Sequence, residues 1–414
     1  MSQATRILLS LVAGLIGGIA LAAFAPALVD PAASVAQPIG TAWLNALQMT
    51  IVPLVVALLI TGVAATAEAA QAGRLAARAI ALYVALLVAS ATAAAVLTPL
   101  FLRIVPIPAA SAASLRAALV GHETVAKAPP LGQFLAGIIP ANIVKAAAEN
   151  AFLSLIIFAL VFAFAMTRIA PEGRALLTAF FTAVRDAMLV VIEWILWIAP
   201  VGVFALALVV GARAGTGAFG ALVHYIAIVA GVGAVVSLAA YPLAVIGGRT
   251  GLGAYTRAVL PSQAVAISTQ SSIATLPAMI EGASALGVPV ATSGVTLPLA
   301  VAIFRATGPA MNLAVAIYVA TWFGVTLTPA VLAVGIVVAT LTSLGSVSLP
   351  GTISYVSAIA PIASALGAPV APLGLLVAVE TIPDIVRTLG NVMMDLAATL
   401  AVSARSARPT DDRA

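Results

Sequence analysis

Long apolar runs recur along the chain at spacings that predict membrane-spanning helices. Six runs long enough to cross about 30 Å of hydrocarbon lie near residues 7–28, 41–67, 74–102, 151–167, 175–198 and 219–247. Two more follow, near 291–323 and 371–403. The pattern predicts an all-α polytopic membrane protein with eight transmembrane helices. The first run follows Arg6, as in a secretory signal peptide, but because so many spans come after it a retained helix is favoured.

The composition excludes an ordinary soluble class. Hydrophobic residues make up 63% of the 414 and charged residues 7%, whereas a soluble domain has about 25% charged residues. The mean hydropathy is +1.21. The chain has no cysteine and two widely separated histidines, His122 and His224, so it offers no disulfide, no thiolate metal site and no His-based hydrolase motif. We therefore expect neither an enzyme nor a structural metal. The net charge of +5 is spread thinly over loops and ends, so no nucleic-acid partner is expected.

The placement of arginine predicts the topology. Residues 29–40, after the first span, contain no Lys or Arg. Arginines instead follow the second, fourth and sixth spans, at Arg74, Arg78, Arg168, Arg174, Arg249 and Arg257. By the positive-inside rule these loops and both termini face the cytoplasm of an inner (plasma) membrane. The proline-rich residues 103–130 are expected to form a long external connection.

Two polar, hydroxyl-rich segments interrupt the apolar pattern after residue 257. They are 262–277 and 342–351, and each has a Leu-Pro pair near its end. Irregular backbone at membrane depth is tolerated where it lines a cavity, so the segments are predicted to form the tips of two re-entrant helical hairpins. Each precedes a span, which gives inverted repeats of a hairpin plus a helix. Ser/Thr-rich kinks in ordinary packed helices are the alternative.

The last span carries polar side chains at intervals of four, three, four and four residues: Glu380, Asp384, Arg387, Asn391 and Asp395. At about 100° per residue these positions form one narrow stripe along a helix. A charge held in hydrocarbon costs roughly 2.5 kcal/mol or more without a partner, so the stripe predicts a binding site. The alternative is an Asp384–Arg387 ion pair that only fixes the helix.

Five segments follow one another in the order typical of a known family: 139–142, 199–205, 271–277, 345–351 and 384–391. On these segments the chain resembles the dicarboxylate/amino acid:cation symporters, the glutamate-transporter-like elevator carriers. Residues 139–142 look like the family's broken fourth-helix region, and 199–205 look like the start of its sixth span. Residues 271–277 and 345–351 look like its two hairpin tips, and 384–391 look like its eighth-helix signature.

The resemblance implies a homotrimer in which a scaffold holds still while each protomer's transport domain carries its site across the bilayer. It assigns residues 1–72 to scaffold helices 1 and 2 and residues 73–103 to transport-domain helix 3. Residues 104–257 would hold scaffold helices 4 and 5 and transport-domain helix 6. The transport core would be 258–404, with hairpin 1, helix 7, hairpin 2 and helix 8, and 405–414 would be a cytoplasmic tail.

The stripe also suggests a substrate. A dry site needs an opposite charge or oriented dipoles for each ionic group of an amino acid. Asp384 suits the ammonium and Arg387 a side-chain carboxylate, and the matching family positions carry these roles. Hydroxyls and backbone N–H groups at the first hairpin tip suit the α-carboxylate. The predicted substrate is an acidic amino acid such as aspartate or glutamate, bound by Ser271, Ser272, Leu349, Asp384, Arg387, Thr388 and Asn391.

Other functions stay open. Gly308 replaces a family threonine near the side-chain carboxylate and leaves the exact acid open. A carrier of C4-dicarboxylates or neutral amino acids, proton-coupled or uncoupled, is an alternative. A non-transporting membrane sensor or scaffold is an alternative from another class. A channel is disfavoured, because the hairpin repeats fit an occluded site better than one conduction path.

Sodium coupling is where the sequence departs from the family. Sodium-using members carry Asn-Met-Asp-Gly-Thr in the seventh helix, and this chain has Phe-Arg-Ala-Thr-Gly there, from Phe304 to Gly308. The family's third-span tyrosine is kept as Tyr83, but the hydroxyl residues after it are replaced by Leu86 and Leu87. Hard cations need several oxygen ligands, so we expect this cation site to be lost and sodium coupling to be altered or reduced.

Arg305 is the one charged residue of its span and must find an anion or a polar cavity. Our hypothesis is that Arg305 is a surrogate cation, which replaces the charge of a sodium ion and reaches toward Asp395, Tyr83 or nearby carbonyls. A salt bridge without a coupling role and a direct contact with the substrate carboxylate are the alternatives.

Other coupling sites are compatible with the sequence. Asn391 and Asp395 match positions that hold a residual sodium ion in the family, together with seventh-helix carbonyls. A carbonyl-built site in the second hairpin matches Ser343, Leu344 and Ser346. Proton coupling through one of the three carboxylates of the stripe is equally open. The sequence predicts no cofactor, with a sodium ion or a proton as the coupling ion.

Overall fold

The computed structural model describes residues 3–71, 73–108, 139–215, 217–345 and 351–406, and the regular elements in this part of the chain are helices. The N-terminal half contains α1 (Gln3–Phe24), α2 (Val29–Gln48), α3 (Ile51–Gln71), α4 (Arg74–Ile104), α5 (Ile143–Ala148), α6 (Phe152–Met166), α7 (Pro171–Trp197), α8 (Ala199–Ala214) and α9 (Gly217–Leu238). The C-terminal half contains α10 (Ala240–Pro242), α11 (Leu252–Thr269), α12 (Ser272–Ala285), α13 (Val290–Ile303), α14 (Thr307–Trp322), α15 (Pro329–Gly345), α16 (Gly351–Ala365), α17 (Pro372–Leu376) and α18 (Thr381–Ser406).

Seven described stretches are long and apolar enough to cross a membrane: Thr5–Phe24, Pro26–Glu68, Arg74–Ile104, Pro171–Trp197, Gly217–Gly247, Val290–Trp322 and Thr381–Arg405. Shorter apolar helices accompany them: Phe152–Met166, Ala199–Ala214, Pro329–Leu344 and Ser354–Ala365. The predicted all-α polytopic membrane fold is confirmed. Most of the predicted connection 103–130, and His122 with it, lies outside the described residues.

Two predicted runs differ in extent from the structure. The run at 41–67 belongs to a longer stretch that turns between α2 and α3. The run at 151–167 forms the 15-residue helix α6, which is too short for a full span at about 1.5 Å per residue. The segment 199–205 begins α8, with Pro200 in its first turn. Proline favours that position because its missing N–H has no partner there.

Helix α1 packs along α8 through glycines. A Cβ on Gly18 would lie 2.2 Å from the carbonyl oxygen of Leu208, and one on Gly211 would lie 2.4 Å from the carbonyl oxygen of Leu15. Small residues let membrane helices approach this closely. Helix α2 packs on the same helix, so α1, α2 and α8 form one tight layer.

The C-terminal half repeats one arrangement, a helix pair followed by an interrupted span. α11 and α12 pack against each other across a turn in which Gln270 has a φ of 51°, and the span after them is broken between α13 and α14. α15 and α16 also pack together, and α17 with the 3-10 turn Val377–Val379 leads into α18. The predicted second hairpin tip, 346–350, lies outside the described residues.

The two interrupted spans lie in the interior. In the apolar 18-residue window of Val290–Trp322, 89% of the residues are buried. In the apolar window of Thr381–Arg405 the buried share is 83%. The corresponding share for Pro171–Trp197 is 6%. The helix break and the polar stripe are therefore enclosed by the other helices.

Candidate functional site

The interruption of the seventh span places an arginine in the interior. α13 ends at Ile303 and α14 begins at Thr307. Between them Phe304 has the non-helical angles φ −109° and ψ 83°. Arg305 lies in this break and is partly buried. Backbone groups at helix ends lack helical partners, so neighbouring elements must satisfy them.

Helix α4 supports the break from one side. The ring of Tyr83 stacks on that of Phe304, with centroids 4.5 Å apart and planes inclined by 10°. The Tyr83 hydroxyl donates to the carbonyl oxygen of Thr296 at 2.9 Å. The Ser90 hydroxyl donates to the carbonyl oxygen of Ala306. These two carbonyl oxygens are thus engaged by protein hydroxyls.

Helix α18 supports the break from the other side, through Asn391. Its side-chain oxygen accepts a hydrogen bond from the backbone N–H of Thr307 at 2.9 Å. The Thr307 hydroxyl lies 2.7 Å from the same oxygen and 2.8 Å from the carbonyl oxygen of Arg387. Gly390 permits this approach, because a Cβ there would lie 2.0 Å from Oγ of Ser237 and 2.5 Å from Cγ2 of Thr307.

The polar stripe of the last span faces the interior, as predicted: Glu380, Asp384, Arg387, Asn391 and Asp395 are all buried. Nη1 of Arg387 contacts Oε1 of Glu380 and lies 3.1 Å from Oδ1 of Asp384. Nε and Nη2 of Arg387 are also buried and have no hydrogen-bond partner among the described residues. The ion pair that the spacing allows therefore forms, but it uses one nitrogen of the guanidinium.

Arg387 also lines a cavity between the helix break, α14, α16 and α18. The full lining is Arg305, Gly308, Asn312, Ser354, Tyr355, Ala358 and Arg387. The Tyr355 hydroxyl lies 2.7 Å from that of Tyr225 on α9. A Cβ on Gly308 would lie 3.5 Å from both Cβ of Arg305 and Oγ of Ser343, so α15 reaches the break here. The cavity thus combines two guanidiniums with an amide and hydroxyl groups.

Other predicted substrate residues do not belong to this lining. Ser271 caps α12, and its hydroxyl oxygen accepts from the backbone N–H of Ala274 at 3.3 Å. Ser272 is the buried first residue of the same helix, and Thr388 is buried on α18. Leu349 of the second hairpin lies outside the described residues.

Several of the predicted cation residues lie on helices that reach the break. Asp395 is fully buried, and its carboxylate oxygens have no hydrogen-bond partner in the described part of the chain, although the charge of Arg305 acts on it. Ser343 adjoins the break, and Leu344 packs against the core cluster that contains the stacked aromatic pair. Ser346 lies outside the described residues. Among those that are described, no group of three or more His, Cys, Asp or Glu could hold a metal ion.

The sequence analysis did not select the three polar residues of the lining that lie outside the stripe and the helix break, Asn312, Ser354 and Tyr355. Each is a small or isolated polar residue in an apolar helix, so periodicity gives no sign of it. Glu380 was part of the stripe but was not assigned to the substrate set. Its position seven residues before Arg387, two helical turns away, was the available signal.

These features define a class of protein. Two helix pairs, each followed by an interrupted span, surround a cavity that carries buried charges at membrane depth, which is the architecture of secondary transporters. The model of the sodium:dicarboxylate symporter family matches residues 4–405, and the chain belongs to this family. It is therefore a membrane transporter and not an enzyme.

Similar proteins differ in the substrates their names give. The proton/glutamate-aspartate symporter of Escherichia coli (strain K12) is 26% identical over 378 residues, which cover 89% of this chain and 84% of that protein. The C4-dicarboxylate transport protein 3 of Ralstonia nicotianae is 26% identical, covering 96% and 87%. The neutral amino acid transporter B(0) of Oryctolagus cuniculus is 30% identical, covering 93% and 77%.

Proposed function

We propose that the protein is a secondary active, elevator-type transporter of an acidic amino acid such as aspartate or glutamate, with reduced sodium coupling. One observation carries the proposal. Nη1 of Arg387 is held by two carboxylates, while Nε and Nη2 have no hydrogen-bond partner in the described chain and the residue lines a cavity. An Nε/Nη2 edge matches a carboxylate in a bidentate contact.

Asp384 is proposed to bind the ammonium of the substrate. Its Oδ1 lies 3.1 Å from Nη1 of Arg387, so the two side chains are close enough to contact one amino acid. Thr388 and Asn391 of α18 would complete the binding site around the substrate. Ser271 and Ser272 of the first hairpin, with Leu349 of the second, would bind the α-carboxylate. These roles follow from the resemblance and from the burial of the stripe.

Reduced sodium coupling is supported by contacts at the break. The side-chain oxygen of Asn391 already has two donor atoms of Thr307 within 2.9 Å, and the carbonyl oxygen of Ala306 accepts from Ser90. Oxygens engaged in this way have fewer lone pairs left for a hard cation, which needs several oxygen ligands. The permanent charge of Arg305 acts on Asp384 and Asp395, in keeping with a surrogate cation. Residual sodium at Asn391 and Asp395, or a proton, is the proposed coupling ion where one is used.

The chemistry also supports a second substrate class. Arg305 and Arg387 line one cavity, and two guanidiniums suit a C4-dicarboxylate that lacks an ammonium. Relatives named for glutamate-aspartate, C4-dicarboxylate and neutral amino acid transport have similar identities. A carrier of neutral amino acids and a non-transporting sensor are the remaining alternatives.

We propose the domain division and the homotrimer that the resemblance implies, in an inner (plasma) membrane with both termini cytoplasmic. Helix α7 has a largely uncovered apolar face, since 6% of its apolar window is buried within the protomer. Its outer face therefore has to meet lipid or a neighbouring subunit.

Uptake into liposomes tests the proposed function. Purified protein should accumulate labelled aspartate or glutamate above the level of protein-free liposomes, and Arg387→Ala should remove the accumulation. Accumulation of serine but not of either acid would contradict the substrate assignment, and binding without uptake of any of them would support the sensor.

A further inference from the structure

We propose that Glu380 binds a proton together with the substrate, and that the hydroxyl pair of Tyr225 and Tyr355 transmits its protonation state to the cavity. This inference rests on the proposed transport function and deepens it, because it names the group through which substrate binding depends on pH. Its basis is geometric. Glu380 is connected to two residues of the cavity lining, to Arg387 by direct contact and to Tyr355 through Tyr225.

The carboxylate of Glu380 is buried with one of its oxygens in use. Oε1 contacts Nη1 of Arg387, whereas Oε2 is buried and makes no hydrogen bond to the described residues. The Tyr225 hydroxyl of α9 is near enough to interact with the carboxylate, but it does not bond Oε2. A proton on Oε2 removes the charge and supplies a donor that the Tyr225 hydroxyl can accept. Oε2 is therefore the atom at which a proton would bind.

The two tyrosine hydroxyls share a hydrogen bond whose direction can reverse. Their oxygens lie 2.7 Å apart, and either one can be the donor. Both residues are buried, and the ring of Tyr225 packs edge-on against that of Tyr318 on α14, with centroids 5.3 Å apart. The hydroxyl hydrogens can therefore turn while the rings keep their positions.

The charge of Glu380 selects the direction of this hydrogen bond. An ionised Glu380 attracts the hydrogen of Tyr225, which then accepts from Tyr355, so that only lone pairs of Tyr355 are left for the cavity. A protonated Glu380 donates to Tyr225, Tyr225 donates to Tyr355, and the hydrogen of Tyr355 becomes available to a ligand. That hydrogen can bond a substrate carboxylate, whereas lone pairs repel it. By linkage, a substrate that binds the protonated form more tightly also promotes proton uptake.

The charge balance of the site also favours proton uptake. The stripe and the helix break carry three carboxylates, Glu380, Asp384 and Asp395, against two guanidiniums, Arg305 and Arg387, which is an excess of one negative charge. An acidic amino acid brings one more negative charge, and uncompensated charge in the interior is costly. One proton on Glu380 offsets the charge of the substrate. The proton comes from the aqueous solution and returns to it when the substrate leaves.

The surroundings favour Glu380 over the other carboxylates. The ionisable groups that the structure places beside it come from α9, α16 and α18: Tyr225, Tyr355, Asp384 and Arg387. Helix α1 packs against the 3-10 turn before Glu380, and its one charged residue, Arg6, is exposed. Asp384 is proposed to bind the substrate ammonium, which requires its ionised form. Asp395 lies about four helical turns further along α18, where the charge of Arg305 acts on it.

Calorimetric titration of the full-length protein in detergent with L-aspartate tests the inference. Titrations in buffers of different ionisation enthalpy count the protons that the complex takes up, and aspartate itself keeps its charge near neutral pH. The wild type should take up protons with aspartate, to a maximum of about one per ligand. Its affinity should rise as the pH falls, by up to about tenfold per pH unit.

The variants separate the proton site from the hydroxyl pair. Glu380→Gln keeps a donor in the place of the protonated carboxyl group but cannot titrate, so proton uptake and the pH dependence of the affinity should disappear. Tyr355→Phe keeps the ring and removes the hydroxyl. It should weaken aspartate at acidic pH by on the order of tenfold to a hundredfold, the loss of a charged hydrogen bond, and it also serves if Glu380→Gln does not fold.

Two matched controls change residues outside the lining: Tyr241→Phe, at a half-buried position of α10, and Glu281→Gln, at an exposed position of α12. Both should behave like the wild type. Aspartate binding without proton uptake in the wild type would overturn the inference while leaving the transport function intact. Proton uptake that persists in Glu380→Gln, or a wild-type pH dependence in Tyr355→Phe, would also overturn it. A wild type that binds neither aspartate nor glutamate at any pH would instead contradict the proposed function.

Discussion

Asn391 accepts a hydrogen bond from the backbone N–H of Thr307 at 2.9 Å, and through it the last span closes the break in the preceding span. The Thr307 hydroxyl lies 2.7 Å from the same oxygen. The amide therefore acts as an internal cap for α14, in the place where the family resemblance predicts a cation ligand. Arg305, two residues before Thr307, brings a permanent positive charge to the same region.

Loss of this cap should destabilise the protein. Asn391→Ala leaves the buried N–H of Thr307 without its acceptor, which costs about 1–3 kcal/mol. We expect a lower unfolding midpoint for the purified protein in detergent. Asn45→Ala, at an exposed position on α2, is the matched control and should unfold like the wild type. An unchanged midpoint for Asn391→Ala would show that the cap contributes nothing.

Glu380 should be as important to the site as the residues in the predicted set. It contacts Nη1 of Arg387 and is fully buried, and removal of one partner from a buried pair costs about 3–5 kcal/mol. Glu380→Ala should therefore unfold at a markedly lower temperature and bind aspartate more weakly. Glu281→Ala, at an exposed position on α12, should change neither. If Glu380→Ala behaved like that control, Glu380 would not position the arginine.

Gly390 should tolerate no side chain. A Cβ there would lie 2.0 Å from Oγ of Ser237, and overpacking of this kind typically costs about 1–3 kcal/mol. Gly390→Ala should lower the unfolding midpoint and the uptake rate, and Ser237→Gly in the same chain should restore part of both. Gly251→Ala is the control, because a Cβ at that position would have no neighbouring atom within 4 Å. If the double variant had the same unfolding midpoint and uptake rate as Gly390→Ala, Ser237 would not be the cause of the clash.

Uptake should depend little on sodium. With oxygens at the break engaged by Thr307 and Ser90, replacement of sodium by choline should leave aspartate uptake into liposomes nearly unchanged. Arg305→Met removes the fixed charge and should reduce uptake or make it sodium-dependent, whereas Arg257→Met should not. Unchanged, sodium-independent uptake by Arg305→Met would count against the surrogate cation, and strong sodium dependence of the wild type would count against reduced coupling.

The features that depend on periodicity and apolar length could be predicted from the sequence. The spacing of the last span predicted that Glu380, Asp384, Arg387, Asn391 and Asp395 face inward, and all five are buried. Length and apolarity predicted the long apolar stretches, although the run at 151–167 forms a helix of 15 residues. These features are local, so a single segment is sufficient to specify them.

The composition of the cavity depends on tertiary contacts. The packing of three helices and a helix break brings Arg387 beside Arg305, Asn312 and Tyr355. No spacing along the chain predicts that these residues line one cavity. The same is true of the Tyr83–Phe304 stack, which joins residues from α4 and the seventh span. The resemblance predicted the neighbourhood of these residues but not their partners.

The central claim is that the Nε/Nη2 edge of Arg387 binds a substrate carboxylate, and equilibrium binding of L-aspartate to the wild type and to Arg387→Lys tests it most directly. Lysine keeps the charge but cannot form the bidentate contact. Aspartate should raise the unfolding midpoint of the wild type by mass action, and the affinity of Arg387→Lys should be lower by about tenfold or more. Equal affinities, or a wild type that aspartate and glutamate do not stabilise at all, would contradict the account.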